Sequence, residues 1–461
     1  MQIILNFGGE RSLPTPPRAS EFIMRHSGSR KPFPASHNPL TLAVLALFAG
    51  ASTTAAAAAD EQKYVEVDPI VVTATRTAQP LSQAEASINV IQAKDIEQTA
   101  PQTFTDALLD IPNVDVTDSS SVMFSRISIR GSDANQITYL IDGMRQDDTT
   151  LGGNQFIGIF VDPEIVKQVE VKRGGGSSLY GNGGIGGTIS VTTKSAADFL
   201  IGTDKNYGLK AKTGYATETQ TWEKSAYAFG RYDIWDVLIG INRRDGGEIK
   251  SSTGRRSHND SDSDYTSIIA KITAMPTDEL FFSLAYNRDE ANDTWNDSDW
   301  GAQIYKNEQN RVTGNVEFNH GPLVNLRAAV QYVDSSYAAD SGAANNKNEF
   351  DSIGGNLQNT FEFSAGGNHS LTIGGDFYRK TQSGTTLEGD TWVDATARPD
   401  AEATDSGIFL QDVYAFNEYF SVTPVVRWNH YERKSNTGFP TVSDSKVLNF
   451  PLFVTLRYLL C

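Results

Sequence analysis

From Asn206 onward the chain loses every trace of helical periodicity and becomes a long succession of strands. Twelve segments between Tyr207 and Tyr458 carry apolar residues at every second position, as in LFFSLAYN (Leu280–Asn287). A period of two lines those residues up on one face of a strand. The connections alternate in length. Asp233-Ile234, Pro276–Asp278, His320–Pro322, Ala365–Gly367 and Asn417-Glu418 are short, whereas Gly246–Ser263, Ala291–Lys306, Ser336–Asn348 and Ser383–Ala403 are long. Several strands begin or end on aromatics, among them Trp222, Phe281, Phe282, Tyr332, Tyr419 and Phe420. Short turns at one end, long loops at the other and aromatic belts describe an antiparallel transmembrane β-barrel. A soluble β-sandwich is the rival, but the segments exceed the ~5–6 residues usual for soluble strands. The absence of a ~20-residue apolar run in the region after the leader does not count against a barrel, because its strands hide apolar residues among polar ones.

The segment before the strands has a different texture. Between Pro80 and about Ala197 lie alternating runs at Ser87–Gln92, Arg126–Gly131 and Ile137–Gly143. Short helical patterns stand at Ala93–Gln98 and Thr103–Ile111, the latter stopped by Pro112. This reads as a small α+β domain. Its last part, QVEVKRGGGSSLYGNGGIGGTISVTTK (Gln168–Lys194), sets two alternating strands around a glycine-dense hairpin. A phosphate-binding loop would need Gly-Lys-Ser/Thr and a helix beginning at the glycines, and neither pattern is present.

The same run resembles the end of the plug domain of TonB-dependent outer-membrane receptors. The matching positions are Glu170, Val171, Arg173, Gly174, Ser177, Leu179, Tyr180, Gly181, Gly186, Gly187 and Ile189, with Gly175 where the family usually has Pro. Two further runs match: IRGSDANQITYLIDGMRQ (Ile129–Gln146), through Arg130, Gly131, Asp142 and Gly143, and TDALLDIPNVDV (Thr105–Val116), with Asn113 in place of Gly. The resemblance implies an α+β plug followed by an antiparallel transmembrane β-barrel. It implies charged contacts between plug and wall, for which Arg130, Glu170 and Arg173 are the candidates, and a monomeric receptor in the outer membrane of a Gram-negative cell. DPIVVTATR (Asp68–Arg76) resembles the family's TonB box, so Pro69, Ile70, Val71, Val72, Thr73 and Ala74 are expected to meet TonB, which ExbB and ExbD energise. An extended β-branched segment suits that role, because it can add as a strand to a partner's sheet edge.

For the ligand, DGMRQ, DPEIVKQVEV and TKSAADFL resemble the haem and haemoglobin branch most, which implies haem as the transported ligand. That branch often carries an iron-ligating histidine in the plug; here Gln155 lies near the matching place. His258, on a long loop, and His430, near a strand end, are the remaining candidate ligand contacts. A ferric siderophore or cobalamin is the alternative ligand. A passive porin is the alternative of a different class, and it would lack both the plug and the box. NDSDSD (Asn259–Asp264) lacks the glycine and distal glutamate of a calcium loop. No nucleophile–base set is found, so neither catalytic residues nor an intrinsic cofactor or metal is expected. The net charge of −17 argues against nucleic acid, and the single cysteine, Cys461, excludes a disulfide framework.

The expected organisation is an N-terminal extension and signal peptide at 1–59, a TonB-box segment at 60–79, a plug at 80–200 and a barrel at 201–461. The leader rests on Arg25, Arg30 and Lys31, the apolar run Leu40–Ala51 and the small residues Ala57–Ala59 before Asp60, with Met24 as the start. Twelve strands fall short of the ~22 that close around a plug in such transporters, so the barrel is expected to be incomplete at its C-terminal end.

Overall fold

The computed structural model describes residues 70–71, 76, 79–81, 87–117, 125–146, 159–175, 177–181, 184–217, 219–246, 262–297, 301–340, 345–388, 391–394, 400–417, 420–435, 442–449 and 452–456. Residues 67–461 form one compact unit. The leader, Pro69, Val72, Thr73, Ala74, Gln155 and His258 lie outside the described residues.

The chain enters as a two-residue strand, β1 (Ile70–Val71), antiparallel to β2 (Gln79–Pro80). The plug follows. Its strands β3 (Ile88–Gln92), β6 (Ile137–Ile141), β7 (Met144–Gln146), β8 (Val166–Arg173) and β9 (Gly187–Thr193) form a mixed sheet in the order β3-β8-β9-β6-β7. The strands β4 (Val114–Thr117) and β5 (Arg126–Ile129) make a separate ribbon. The helices are short: α1 (Ala93–Thr99), α2 (Ser177–Tyr180) and α3 (Ala196–Leu200). Asp95 closes the first turn of α1 by accepting the Gln92 N–H, and Asp198 does the same for Ser195 before α3. The apolar residues of the strand faces (Ile127, Ile129, Tyr139, Ile141, Val169, Val171, Ile189, Val191) form the plug core.

The expectation of a helix over Thr103–Ile111 is corrected. Only a 3-10 turn at Asp106–Leu108 forms, because the Asp106 carboxylate takes the backbone N–H groups of Gln102 and Thr103 and turns the chain too early. Asn113 then adopts φ 62°, a left-handed conformation that asparagine tolerates, which is why it can stand where glycine is usual. The glycine run between β8 and β9 also differs from expectation, since α2 interrupts it for one turn. Gly187 is required by space: a Cβ there would overlap the Lys172 carbonyl oxygen.

The second sheet runs in sequence order, each strand antiparallel to the one before. It comprises β10 (Tyr207–Ala216), β11 (Thr221–Tyr232), β12 (Trp235–Asp245), β13 (Asp262–Thr277), β14 (Leu280–Asp297), β15 (Gly301–His320), β16 (Val324–Asp340), β17 (Asn345–Ser364), β18 (Asn368–Glu388), β19 (Thr391–Asp394), β20 (Ala401–Ala415), β21 (Phe420–Ser435), β22 (Val442–Asn449) and β23 (Leu452–Leu456). The last two both pair with β21, one after the other along its length, and β19 extends the β18 end, so twelve strands' worth of wall is present among the described residues. Among the described residues no pairing joins β10 to the last strands. Alternation is strict. On β12, Val237 and Ile239 are exposed while Asp236, Leu238, Asn242 and Arg244 are buried toward the plug. The outer face is therefore apolar and the inner face largely polar, the pattern of a membrane-spanning barrel wall.

Two of the expected long loops are also corrected. Ala291–Lys306 and Ser336–Asn348 are mostly strand, since β14 and β15 pair from Leu280↔Phe318 out to Asp297↔Gly301, and β16 and β17 out to Asp340↔Asn345. In these outer parts polar residues predominate, so the apolar alternation fades although the backbone ladder continues.

Candidate functional site

The junction between plug and wall is where the chain concentrates its buried charge. Its centre is Arg76, five residues past β1, which is 5% exposed and holds φ 64°. Its Nη2 donates to the Leu179 carbonyl at 2.9 Å and to Asp376 at 3.1 Å, while the Gln358 amide donates to the Arg76 carbonyl at 2.7 Å. The guanidinium lies 4.2 Å over the Tyr180 ring and 4.6 Å from that of Phe409. Asp376 is shared: Arg427 from β21 reaches it with Nη1 at 2.8 Å and Nη2 at 2.6 Å, and also donates to Leu179. One carboxylate thus bridges two buried guanidinium groups, and all three groups converge on the α2 turn. Gly181 follows that turn at φ 82°, and a Cβ there would come within 3.1 Å of Arg427. The entering strand, the glycine-rich motif and the wall strands β18 and β21 are joined at this point.

A second contact lies on β10–β12. Asp162 pairs with Arg244, which also binds Glu223 at 3.1 Å; Lys212 bridges Glu223 and Glu164; Lys194 and Lys210 share Glu97. The signs alternate, so each charge has an opposite neighbour. Burial pushes the Glu164 carboxyl up, but the ammonium of Lys212 outweighs it and leaves the group below the usual carboxylate range. Burial also lowers Lys194, against the pull of Glu97. Phe199 of α3 stacks on Phe229 at 4.9 Å and Tyr227 at 5.1 Å, and Tyr227, Leu238 and Ile269 join the plug core. This side of the plug is fixed by apolar packing as well as charge.

Between the two contacts the Asp142-Gly143 turn meets the wall. Asp142 (φ 47°) and Gly143 (φ 80°) make the two-residue turn between β6 and β7, for which Asp-Gly with positive φ at both positions is suited. Asp142 accepts from the Thr193 N–H at 2.8 Å and hydroxyl at 2.6 Å, and Lys271 lies 3.6 Å away. Beyond the turn Arg145 pairs with Asp405 at 2.7 Å, and Gln146 binds Gln331 and Arg311. A cavity of about 310 Å³ lined by Asp142, Lys271, Arg327 and Asn356 separates plug from wall here. Its volume is at the lower limit for sites that hold drug-sized ligands.

The expected plug–wall charges are corrected in part. Arg173 donates to the Pro112 carbonyl inside the plug at 2.8 Å, and Arg130, at φ 53°, is exposed. Glu170 is 2% exposed and accepts from Gln168 beside it. The wall is met by Arg76, Glu97, Asp142, Arg145, Asp162 and Glu164. Gly131, Gly174 and Gly186 sit at turns flanking β5, β8 and β9. His430 is on the outer face of β21, its ring stacked over that of Trp428, while Arg427 and Asn429 face inward; it does not line the interior. The wall partners carry a signal that sequence reading could have used: a charge at the inward phase of an otherwise apolar strand, as Asp376 in TIGGDFY or Arg427 in VVRWN.

An α+β plug is thus seated against an apolar-faced antiparallel wall, the architecture of a plugged transmembrane β-barrel. Residues 80–188 match the family described as TonB-dependent Receptor Plug Domain, so this chain carries the plug of a TonB-dependent receptor. It is 29% identical over 429 residues to the hemin receptor of Yersinia enterocolitica, covering 89% of this chain and 60% of that one. The FrpB iron transporter from Neisseria meningitidis superposes with a TM-score of 0.68 at 20% identity, covering 80% of this chain and 61% of that one. The hemophore receptor HasR of Serratia marcescens, solved with its hemophore HasA and heme, gives 0.65 at 16% identity, covering 80% and 60%. The chain spans about 60% of the length of these relatives.

Proposed function

We propose that this chain takes up haem, free or drawn from a haemoprotein, across the outer membrane, using force that TonB delivers through ExbB and ExbD. The observation that carries the reading is the line of contacts from β1 through Arg76 to the α2 turn and Asp376, because a pull on the β1 segment reaches the plug motif and the wall together. The ligand assignment is supported by likeness to the hemin receptor along 89% of the chain. The box residues Pro69–Ala74 are the docking strand for TonB, and cleavage before Asp60 releases the mature chain. The plug argues against a passive pore. The transport reading needs no catalytic residue, since no covalent bond of the cargo changes.

The test is growth of an iron-starved, receptor-null host carrying this chain. Growth on haem or haemoglobin that requires TonB is expected. Growth on a ferric siderophore alone would move the assignment to the siderophore receptors; the alcaligin receptor FauA from Bordetella pertussis shares the fold at 15% identity.

A further inference from the structure

The plug is not held equally on all sides. Toward β10–β12 its charges are paired in alternating sign, Phe199 stacks on a wall ring, and Tyr227 and Leu238 of the wall belong to the plug core. Parting there breaks buried ion pairs and returns apolar surface to water, and both are costly. Toward β14–β17 the wall faces the cavity of about 310 Å³ instead. Asn356 donates to the Gly143 carbonyl at 3.2 Å and Gln358 to the Arg76 carbonyl at 2.7 Å. The Nε atoms of Arg76 and Arg327, both of which line the cavity, are buried and have no protein hydrogen-bond partner. These two donors contribute no bond between plug and wall.

The cavity is open at one end and stopped at another. Glu317 and Arg327, on its wall side, lie three residues from the short-turn ends of β15 and β16, and the Glu317 side chain is 41% exposed. Water therefore reaches the cavity from the short turns. Arg76 lines it as well, yet belongs to the segment between β1 and β2, ahead of the plug sheet. The Asp142-Gly143 turn beside the cavity leads into β7, which is the edge of that sheet and meets β6 through three residue pairs. An edge strand with so short a ladder is the part of the sheet that separates with the fewest backbone bonds broken.

We propose that the plug parts from the wall at this cavity, with the Arg76 segment as its stopper. Withdrawal of that segment joins the cavity to the space it vacates. Cargo then leaves along the inner faces of β14–β17, past Arg327 and Glu317, while the β10–β12 contact stays docked. The inference rests on the transport reading, in which TonB pulls the β1 segment, and requires no particular ligand.

Single cysteines in the purified full chain, with Cys461→Ser, report where the opening forms. Ala329→Cys puts a thiol on the cavity wall, and Ser225→Cys puts one on the inner face of β11 near Tyr227; both positions are 6% exposed. Each is reacted with fluorescein maleimide, a dye too bulky for the closed gap. Arg76→Gln should accelerate labelling at position 329 roughly a hundredfold, through loss of charge-assisted hydrogen bonds and ring contacts together. Labelling at position 225 should change less than about twofold, as expected for an independent site. Acceleration at both positions means that the plug leaves as one body, and acceleration at 225 alone puts the opening on the other side; either result overturns the proposal. No change at 329 while Val71→Cys becomes reactive shows that the strand withdraws without opening the cavity, which overturns the proposal and leaves the pulled strand standing. No change at either 71 or 329 removes Arg76 as the stopper and overturns the proposal with it. The assay contains neither cargo nor TonB, so a failed growth test strikes the transport reading and a failed labelling test strikes the location of the opening.

Discussion

Replacing Arg76 by glutamine should release the entering strand without unfolding the plug. The substitution removes the donations to Leu179 and Asp376 and the contacts with the Tyr180 and Phe409 rings. It does not orphan a charge, because Asp376 keeps both hydrogen bonds from Arg427. Hydrogen bonds to charged groups contribute about 1.5–3 kcal/mol each and a desolvated cation–ring contact up to about 2. The two donations come from one nitrogen and share their acceptors with Arg427, so the terms are not additive and a net of about 3 kcal/mol is the reasonable expectation. At ~1.4 kcal/mol per decade, that raises the fraction of open strand roughly a hundredfold. The assay is maleimide labelling of Val71→Cys, a position fully buried in the structure, in a chain whose native cysteine is replaced by Cys461→Ser. Labelling should accelerate about a hundredfold with Arg76→Gln. A cysteine in place of Val191 in the plug core should be unaffected. Equal rates at position 71 with and without Arg76 would refute the claim that this arginine holds the strand.

Asp376→Asn should behave differently, because it leaves two buried guanidinium groups without their carboxylate; a loss of about 3–5 kcal/mol is expected, read as a lower thermal midpoint for plug release. Val71→Pro removes an N–H from the segment offered to TonB, so ligand binding should persist while energised uptake stops, and unchanged uptake would displace the box. Glu164 has its folded pKa depressed, so its pairing with Lys212 stabilises the docked plug above the unfolded carboxylate pKa of ~4.3 and is lost as pH falls through the folded value. Protease sensitivity of the plug should accordingly rise on acidification below that range, and Glu164→Gln should remove this part of the pH dependence. Gly187→Ala should cost the plug about 1–3 kcal/mol through overlap with the Lys172 carbonyl, measurable by denaturant titration.

The barrel wall was legible because lipid imposes a period of two, and each strand from Tyr207 onward carries it. The strand ends were not, since the outer parts of β14 to β17 pair in water and leave only polarity in the sequence. The plug was legible through its glycine run and its Asp-Gly turn, where backbone geometry restricts residue choice. Its contacts with the wall were not, because Arg76–Asp376 and Asp162–Arg244 are separated by hundreds and tens of residues, and pairing at that distance leaves no local pattern. Arg130 and Arg173 were natural candidates as charges within the motif, yet one is exposed and the other serves a turn inside the plug.

The length of the strands sets how far the wall rises past the apolar band. β15 has 20 residues, about 66 Å at ~3.3 Å each, and at the ~40° tilt of such barrels it rises about 50 Å along the axis. The apolar band accounts for only ~25 Å of that height. About half of β15 therefore extends beyond the apolar band, whereas β10, β11 and β12, with 10, 12 and 11 residues, rise only about as far as the band itself.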